Sequence, residues 1–182
     1  AANFLAHLGW RGGERWGREV LLPDSIDYDI AGRDQRRALA HWRDLGITDV
    51  AGRPLPTADL EAALLVPAGQ FGPAFLVYDN FDVIMRWNRS EFFALSVGHL
   101  ADRIAGGPPL VKPAPVQEPL SRNDVVRVQE YLAANGYDAG AADGVLGSQS
   151  RAALRALQRD LGLPADGFLH PELLRRLELS AE

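Results

Sequence analysis

The stretch "GPAFLVYDNFDVIMRWNRSEFFALSVGHLADRIAGG", residues 72–107, decides how the first part of this chain is read. An apolar run, Ala74 to Tyr78, has the length and composition of a buried strand. "FDVIMRWN" then reads as a short helix, and Asn88-Arg89-Ser90 breaks the pattern. Ser90 suits the N-cap of a second helix, in which Phe93, Val97, Leu100 and Ile104 fall on one face. On periodicity alone, Phe93 in that row reads as core. The polar break carries a Trp87-Asn88 pair, which an ordinary core helix does not need.

Working outward, "AANFLAHLG" ends a helix at Gly9, and "WRGGERWGREVLLP" reads as a loop and a short strand. "RDQRRALAHWRDLG" places Ala38, Leu39, Trp42 and Leu45 at helical spacing before a Gly46 stop. "AALLVPAGQFGPAFLVYDN" reads as two short strands around a Gly-Pro turn. The fold class is therefore mainly α with a small β element. "GGPPLVKPAPVQEPL", residues 106–120, holds five of the twelve prolines and marks an extended, semi-rigid linker. It divides residues 1–105 from residues 121–182, and no large interface between the two parts is expected.

The second part contains an internal repeat. Gln129 aligns with Gln158, Leu132 with Leu161, Gly136 with Gly162, Asp143-Gly144 with Asp166-Gly167, Leu146 with Leu169 and Leu154 with Leu174. Each copy is a helix, a Gly turn, an Asp-Gly turn and a second helix. The helix over 149–160 is shared, so the product is a compact three-helix module. In each Asp-Gly turn the glycine supplies a positive φ and the aspartate accepts nearby backbone N–H groups.

Bulk properties exclude several classes. The net charge of −5 and the scattered cations give no electrostatic footprint for nucleic acid. With no cysteine there is neither a disulfide framework nor a thiol nucleophile. No apolar run approaches the ~18 residues that span a bilayer. His7, His41, His99 and His170 lack metal-ligand spacing, so neither metal nor cofactor is expected. No GxSxG motif and no phosphate loop are present.

Residues 121–179 resemble the three-helix peptidoglycan-binding domain of bacteria. The resemblance rests on Val128-Gln129, Leu132, Gly136-Tyr137, Asp143-Gly144, Gly147, Ser150, Ala153-Leu154, Leu157-Gln158, Gly162-Leu163 and Asp166-Gly167. It implies cell-wall binding. Tyr137 and Phe168 are candidate wall contacts, with core packing as the other reading of each.

The first part resembles the C-terminal half of the catalytic domain of B-type lytic murein transglycosylases, a lysozyme-like domain. "ANFLAHLGW", "WGREVLLP" and the opening stretch carry the resemblance. It implies that Trp87, Asn88, Phe93 and Phe4 line a substrate cleft for glycan. Trp87, Phe93 and Phe4 stand where tyrosine is common in that family, so the cluster keeps its aromatic surface and gives up hydroxyls. The residues themselves leave alternatives open. Trp87 suits the apolar face of a sugar or a core, Asn88 suits an N-acetyl group or a helix end, and Phe93 has core periodicity.

Such enzymes use one Glu as acid and then base to form 1,6-anhydro-muramyl ends, without the second carboxylate of ordinary glycosidases. Their Glu lies in a Glu-Ser-x-aromatic-Gly string. Glu14, Glu19, Glu61 and Glu91 have other surroundings, and no calcium loop of the EF-hand type occurs. The expectation is a fragment that follows the catalytic Glu, with an exposed aromatic patch. The partner implied is peptidoglycan, with a monomeric chain in the periplasm or at the outer membrane, and a lipid anchor on a preceding segment is left open. The rival reading is a non-catalytic wall-binding protein.

Overall fold

A computed structural model describes residues 2–116 and 120–177; parts of the expected linker (117–119) and of the second module (178–182) lie outside the described residues. The chain divides into two compact units. The first is built from Ala1–Ile26, Ile30–Pro67 and Phe71–Ala114, the second from Pro115–Glu182 with Asp27–Asp29 and Ala68–Gln70.

The first unit centres on an antiparallel five-stranded sheet. Its strands are β1 (Gly17–Leu21), β2 (Arg37–Ala38), β3 (Thr48–Asp49), β4 (Glu61–Leu65) and β5 (Ala74–Val77), in the order β2-β4-β5-β1-β3. Both faces of the central strands are buried, which is why β4 and β5 read as unbroken apolar runs. Ala63, Leu65, Phe75 and Val77 join one core with Trp16, Phe81, Ile84 and Leu95. Ala62, Leu64, Ala74 and Leu76 join the other with Leu39, Trp42 and Ile47. The first face is covered by α3 (Asp79–Trp87) and α4 (Glu91–Ile104), the second by α2 (Leu39–Asp44), while α1 (Ala2–His7) opens the chain. Fully buried Trp42 donates its indole N–H to the carbonyl of Ala62 at 3.0 Å, so its one polar atom is satisfied.

Three sequence expectations change here. Ala38 is not helical: it pairs with Glu61 as the end of β2, because an available sheet edge outcompetes its helix propensity. On α4 the row Phe93, Val97, Leu100 and Ile104 faces outward, and Ala94, Leu95 and Gly98 face the core. The cause is Trp16. A Cβ added to Gly98 would stand 2.5 Å from the Trp16 ring, so α4 can approach the sheet only on its small-residue side. Asp102, one turn on, accepts the Trp16 indole N–H at 2.9 Å and fixes that choice.

The third change concerns the linker. Its first half belongs to the first unit. Glu19, on β1, accepts the backbone N–H groups of Val111 and Lys112, both at 2.9 Å, and Leu110 packs against the core. Proline in this stretch leaves few donors, and Glu19 takes two of those that remain. Replacing Glu19 with alanine is expected to speed protease cleavage between 107 and 116 several-fold. Global stability should fall by only about 1 kcal/mol, the scale of exposed hydrogen bonds. Limited proteolysis timed against a denaturant melt checks both.

The second unit holds α5 (Arg122–Ala134), α6 (Ser148–Asp160) and α7 (Pro171–Arg176). Ser121 and Asp124 form a reciprocal capping box at the start of α5. The sequence repeat is a repeat of hydrogen bonds. Buried Gln129 donates to the Asp143 carboxylate at 3.2 Å and to the carbonyl of Val145 at 3.1 Å, and its side-chain oxygen accepts the N–H of Gly144 at 2.9 Å. Buried Gln158 donates to Asp166 at 2.8 Å and to the carbonyl of Phe168 at 3.2 Å, and accepts the N–H of Gly167 at 2.8 Å. Gly144 and Gly167 have φ of +76° and +67°, which lets each turn offer that N–H inward.

These networks lower three carboxylate pKa values. Asp124 is lowered first by its bond to the Ser121 hydroxyl, and Asp143 first by the Val145 N–H and then by Gln129. At Asp166 burial pushes the value up, but bonds from His170, the Phe168 N–H and Gln158 outweigh it. A folded value below the unfolded one stabilises fully above about pH 4 and loses that contribution as pH falls through the folded value. Exchange protection of the α5 and α6 amides, corrected for intrinsic rates, is therefore expected to change little between about pH 7 and 5 and to drop below about pH 4. Asp166→Asn should flatten part of that acid limb.

Candidate functional site

Trp87 ends α3, and Asn88 is its C-cap, extended at φ −140°. The Asn88 side-chain oxygen accepts the N–H of Ser90 at 3.0 Å, and the Ser90 hydroxyl accepts the N–H of Phe93 at 3.2 Å. The break between α3 and α4 is thus a linked pair of side-chain caps. The Asn88 oxygen serves the turn, while its amide nitrogen has no bond among the described residues and remains exposed.

Trp87 is 49% exposed and Phe4 51% exposed, and their rings meet edge to face with centroids 5.3 Å apart. α1 brings Phe4 there, and Arg86 ties the two segments by donating to the carbonyl of Leu8 at 2.6 Å. Phe93 is exposed one turn into α4 and begins the outward row. The four residues expected to line a cleft are therefore surface residues, and Phe4 and Trp87 touch.

The position of α3 rests on a residue that periodicity did not single out. Asn80 is fully buried; its oxygen accepts the Arg11 N–H, and its amide donates to the carbonyls of Arg11 and Glu14, each at 2.9 Å. The available signal was a polar residue on the helical face of Val83 and Ile84. Also unforeseen, Arg36 reaches Asp79 at 2.9 Å and Asp82 at 2.6 Å, while Arg33 lies 3.5 Å from Asp82 and 3.9 Å from Glu91.

The other carboxylates considered from the sequence are engaged or displaced. Glu19 holds the linker, Glu14 lies 3.6 Å from Arg11, and Glu61 stands exposed at the head of β4. Among the described residues no group of His, Asp or Glu could hold a metal ion, and no helix is long and apolar enough to cross a membrane.

In the second unit, Tyr137 and Phe168 are half-buried. The Tyr137 hydroxyl donates to Asp160 at 2.5 Å; that bond, with some burial, raises its pKa. Phe168 lies 4.9 Å from the His170 ring, and its backbone completes the Gln158 network.

Residues 1–102 match the Transglycosylase SLT domain family. The chain belongs to that family. Residues 121–177 match a peptidoglycan binding domain. The fold is accordingly mainly helical with a small sheet, an SLT domain followed by a peptidoglycan-binding module. Two crystal structures of SltB3 from Pseudomonas aeruginosa, in complex with NAG-anhNAM-pentapeptide and with NAG-NAM-pentapeptide, are similar to it. Each is 46% identical, superposes with a TM-score of 0.91 over 97% of this chain, and is spanned by it over 48% of its own length. The N-acetylmuramoyl-L-alanine amidase CwlM of Mycobacterium tuberculosis is 44% identical over 59 residues, 32% of this chain and 14% of that protein. The SLT-domain chain thus spans about half of the solved structures it resembles.

Proposed function

We propose that this chain holds glycan for a lytic murein transglycosylase of the B type. On this reading residues 1–105 are the C-terminal part of the catalytic domain, 106–120 the linker and 121–182 a three-helix module that binds the wall. The observation that carries it is the exposed Phe4–Trp87 pair beside the free amide donors of Asn88. Flat rings cover the apolar face of a sugar with little loss of conformational entropy, and an amide N–H₂ matches the carbonyl of an N-acetyl group. The SltB3 complexes support it, because one holds an anhydro sugar and the other its NAG-NAM counterpart.

The chemistry proposed for the whole protein needs one carboxylic acid. It protonates the glycosidic oxygen between MurNAc and GlcNAc as the C1–O bond breaks, then as carboxylate removes the proton of the 6-hydroxyl, which closes on C1. The product is a 1,6-anhydro-MurNAc end, and no water is consumed. No Glu in this sequence has the expected surroundings for that acid, so this chain supplies substrate contacts only. The bacterial cell envelope, on its periplasmic side, is the compartment this substrate implies.

Incubation of the 182-residue chain with purified sacculi tests the reading. The chain is expected to sediment with the insoluble wall and to release no anhydro-muropeptides. Release would overturn the assignment of the acid to a residue outside this sequence. A chain left in the supernatant would overturn wall binding.

A further inference from the structure

The Phe4–Trp87 pair joins α1 to the end of α3. α1 does not hold itself there. It has six residues, whereas isolated helices shorter than roughly 12–15 residues are marginal in water. Residues 3–7 are all exposed or half-buried, and none belongs to either core of the first unit. Phe4 must therefore be placed by whatever anchors the end of α1.

That anchor comes from α3. Arg86 donates from Nη1 to the carbonyl of Leu8 at 2.6 Å. The N–H of Leu8 in turn donates to the carbonyl of Phe4 at 3.0 Å, so Arg86 acts one helical turn from the Phe4 backbone. Carbonyls at a helix C-terminus lack intrahelical partners and carry partial negative charge, which suits a guanidinium. The bond to Leu8 is the one hydrogen bond or ion pair that Arg86 makes among the described residues. The other ties of this segment lie further on: Asn80 holds Arg11 and Glu14, and Trp10 packs against the core. Arg86 also precedes Trp87 directly, so one side chain serves both partners of the pair. Arg86 is exposed, so its contribution is not core packing.

We infer that Arg86 is the positioning residue of the aromatic pair. It holds α1 against α3, so that the Phe4 ring stands edge to face with Trp87 and the two rings offer one surface to a sugar. The use of that surface rests on the glycan reading above; the hold on α1 does not. Arg86 acts through Phe4, with no sugar contact of its own.

The chain has four tryptophans, and 5-fluorotryptophan labelling gives each a ¹⁹F signal, that of Trp87 being assigned by its loss in Trp87→Phe. Phe4→Ala marks where the Trp87 signal lies without the neighbouring ring. Arg86→Met keeps an apolar stem and removes every donor. It is expected to move the Trp87 signal of the free chain to the Phe4→Ala position, with little change in the thermal melt. Arg86→Lys, which keeps a charged donor, should restore most of the original shift. In titrations of the full chain with a peptide-free glycan tetramer, Phe4→Ala and Arg86→Met should each weaken binding about fivefold, within the range carried by one aromatic contact. The double variant should bind no more weakly than Phe4→Ala alone, because Arg86 works only through that ring. A Trp87 signal unmoved by Arg86→Met overturns the inference. So does a loss that adds in full to that of Phe4→Ala, which would make Arg86 a sugar contact itself. If the signal moves as expected and Trp87→Ala still binds the tetramer at full strength, the hold of Arg86 on the ring pair stands and the glycan reading falls.

Discussion

Replacing Trp87 with alanine is expected to weaken binding of a glycan oligomer by about thirtyfold, because a central aromatic contact is worth about 2 kcal/mol. Trp87 is half exposed and its main described ring partner is Phe4, so little stability rests on it. Edge-to-face pairing of the two rings contributes about 0.5–1.5 kcal/mol, so its removal should lower the melting temperature by a few degrees. Trp87→Phe should keep much of the affinity, since it retains a flat apolar face. Phe4→Ala should have an intermediate effect, because Phe4 both offers a ring and steadies that of Trp87. Isothermal titration of each variant, alongside its thermal melt, separates binding from folding. An unchanged affinity in Trp87→Ala would remove Trp87 from the glycan site, and a collapse of the melt would mean that it acts as core.

The largest stability effect is expected at Gln158. Leucine has a similar volume, but it cannot serve the N–H of Gly167, the carbonyl of Phe168 or the Asp166 carboxylate. Each buried polar group left without its partner costs about 1–3 kcal/mol, so a destabilisation of about 3–5 kcal/mol is expected. A module of this size is stable by roughly 5 kcal/mol, so the substitution should leave it close to its unfolding midpoint at room temperature. Exchange protection of the α5, α6 and α7 amides should largely vanish. Gln158→Glu keeps the shape and the acceptor but loses the donor and places a second carboxylate beside Asp166. It should be destabilising as well, and less so near about pH 5 than at about pH 7. Gln129→Leu tests the other copy of the repeat. Full protection in both variants would show that the glutamines are bystanders to a purely apolar core.

The two glutamine networks explain why the second module was legible from the chain alone. Gln, Asp-Gly and the helix-stop glycines act through bonds that close within a few to some fifteen residues, so their spacing survives as a sequence pattern. The same holds for Ser90 and Ser121 as caps, whose partners lie three residues on. The break at Asn88 could likewise be placed, because it is made by side chains bonding to nearby backbone.

The direction of α4 was not legible in this way. Its outward row has the stronger hydrophobic periodicity, and periodicity alone assigns the larger apolar residues to the core. Trp16 reverses the choice from a distant loop by requiring Gly98 against its ring. The meeting of Phe4 with Trp87, and of Arg33 and Arg36 with the acids of α3, also joins segments far apart in the chain. The sequence by itself determined the helices, the caps, the repeat and the aromatic and amide residues at the break between α3 and α4. Only the tertiary structure decided which apolar row stays outside and which cations meet the acids of α3, because both depend on steric fit and charge pairing between elements that no local pattern records.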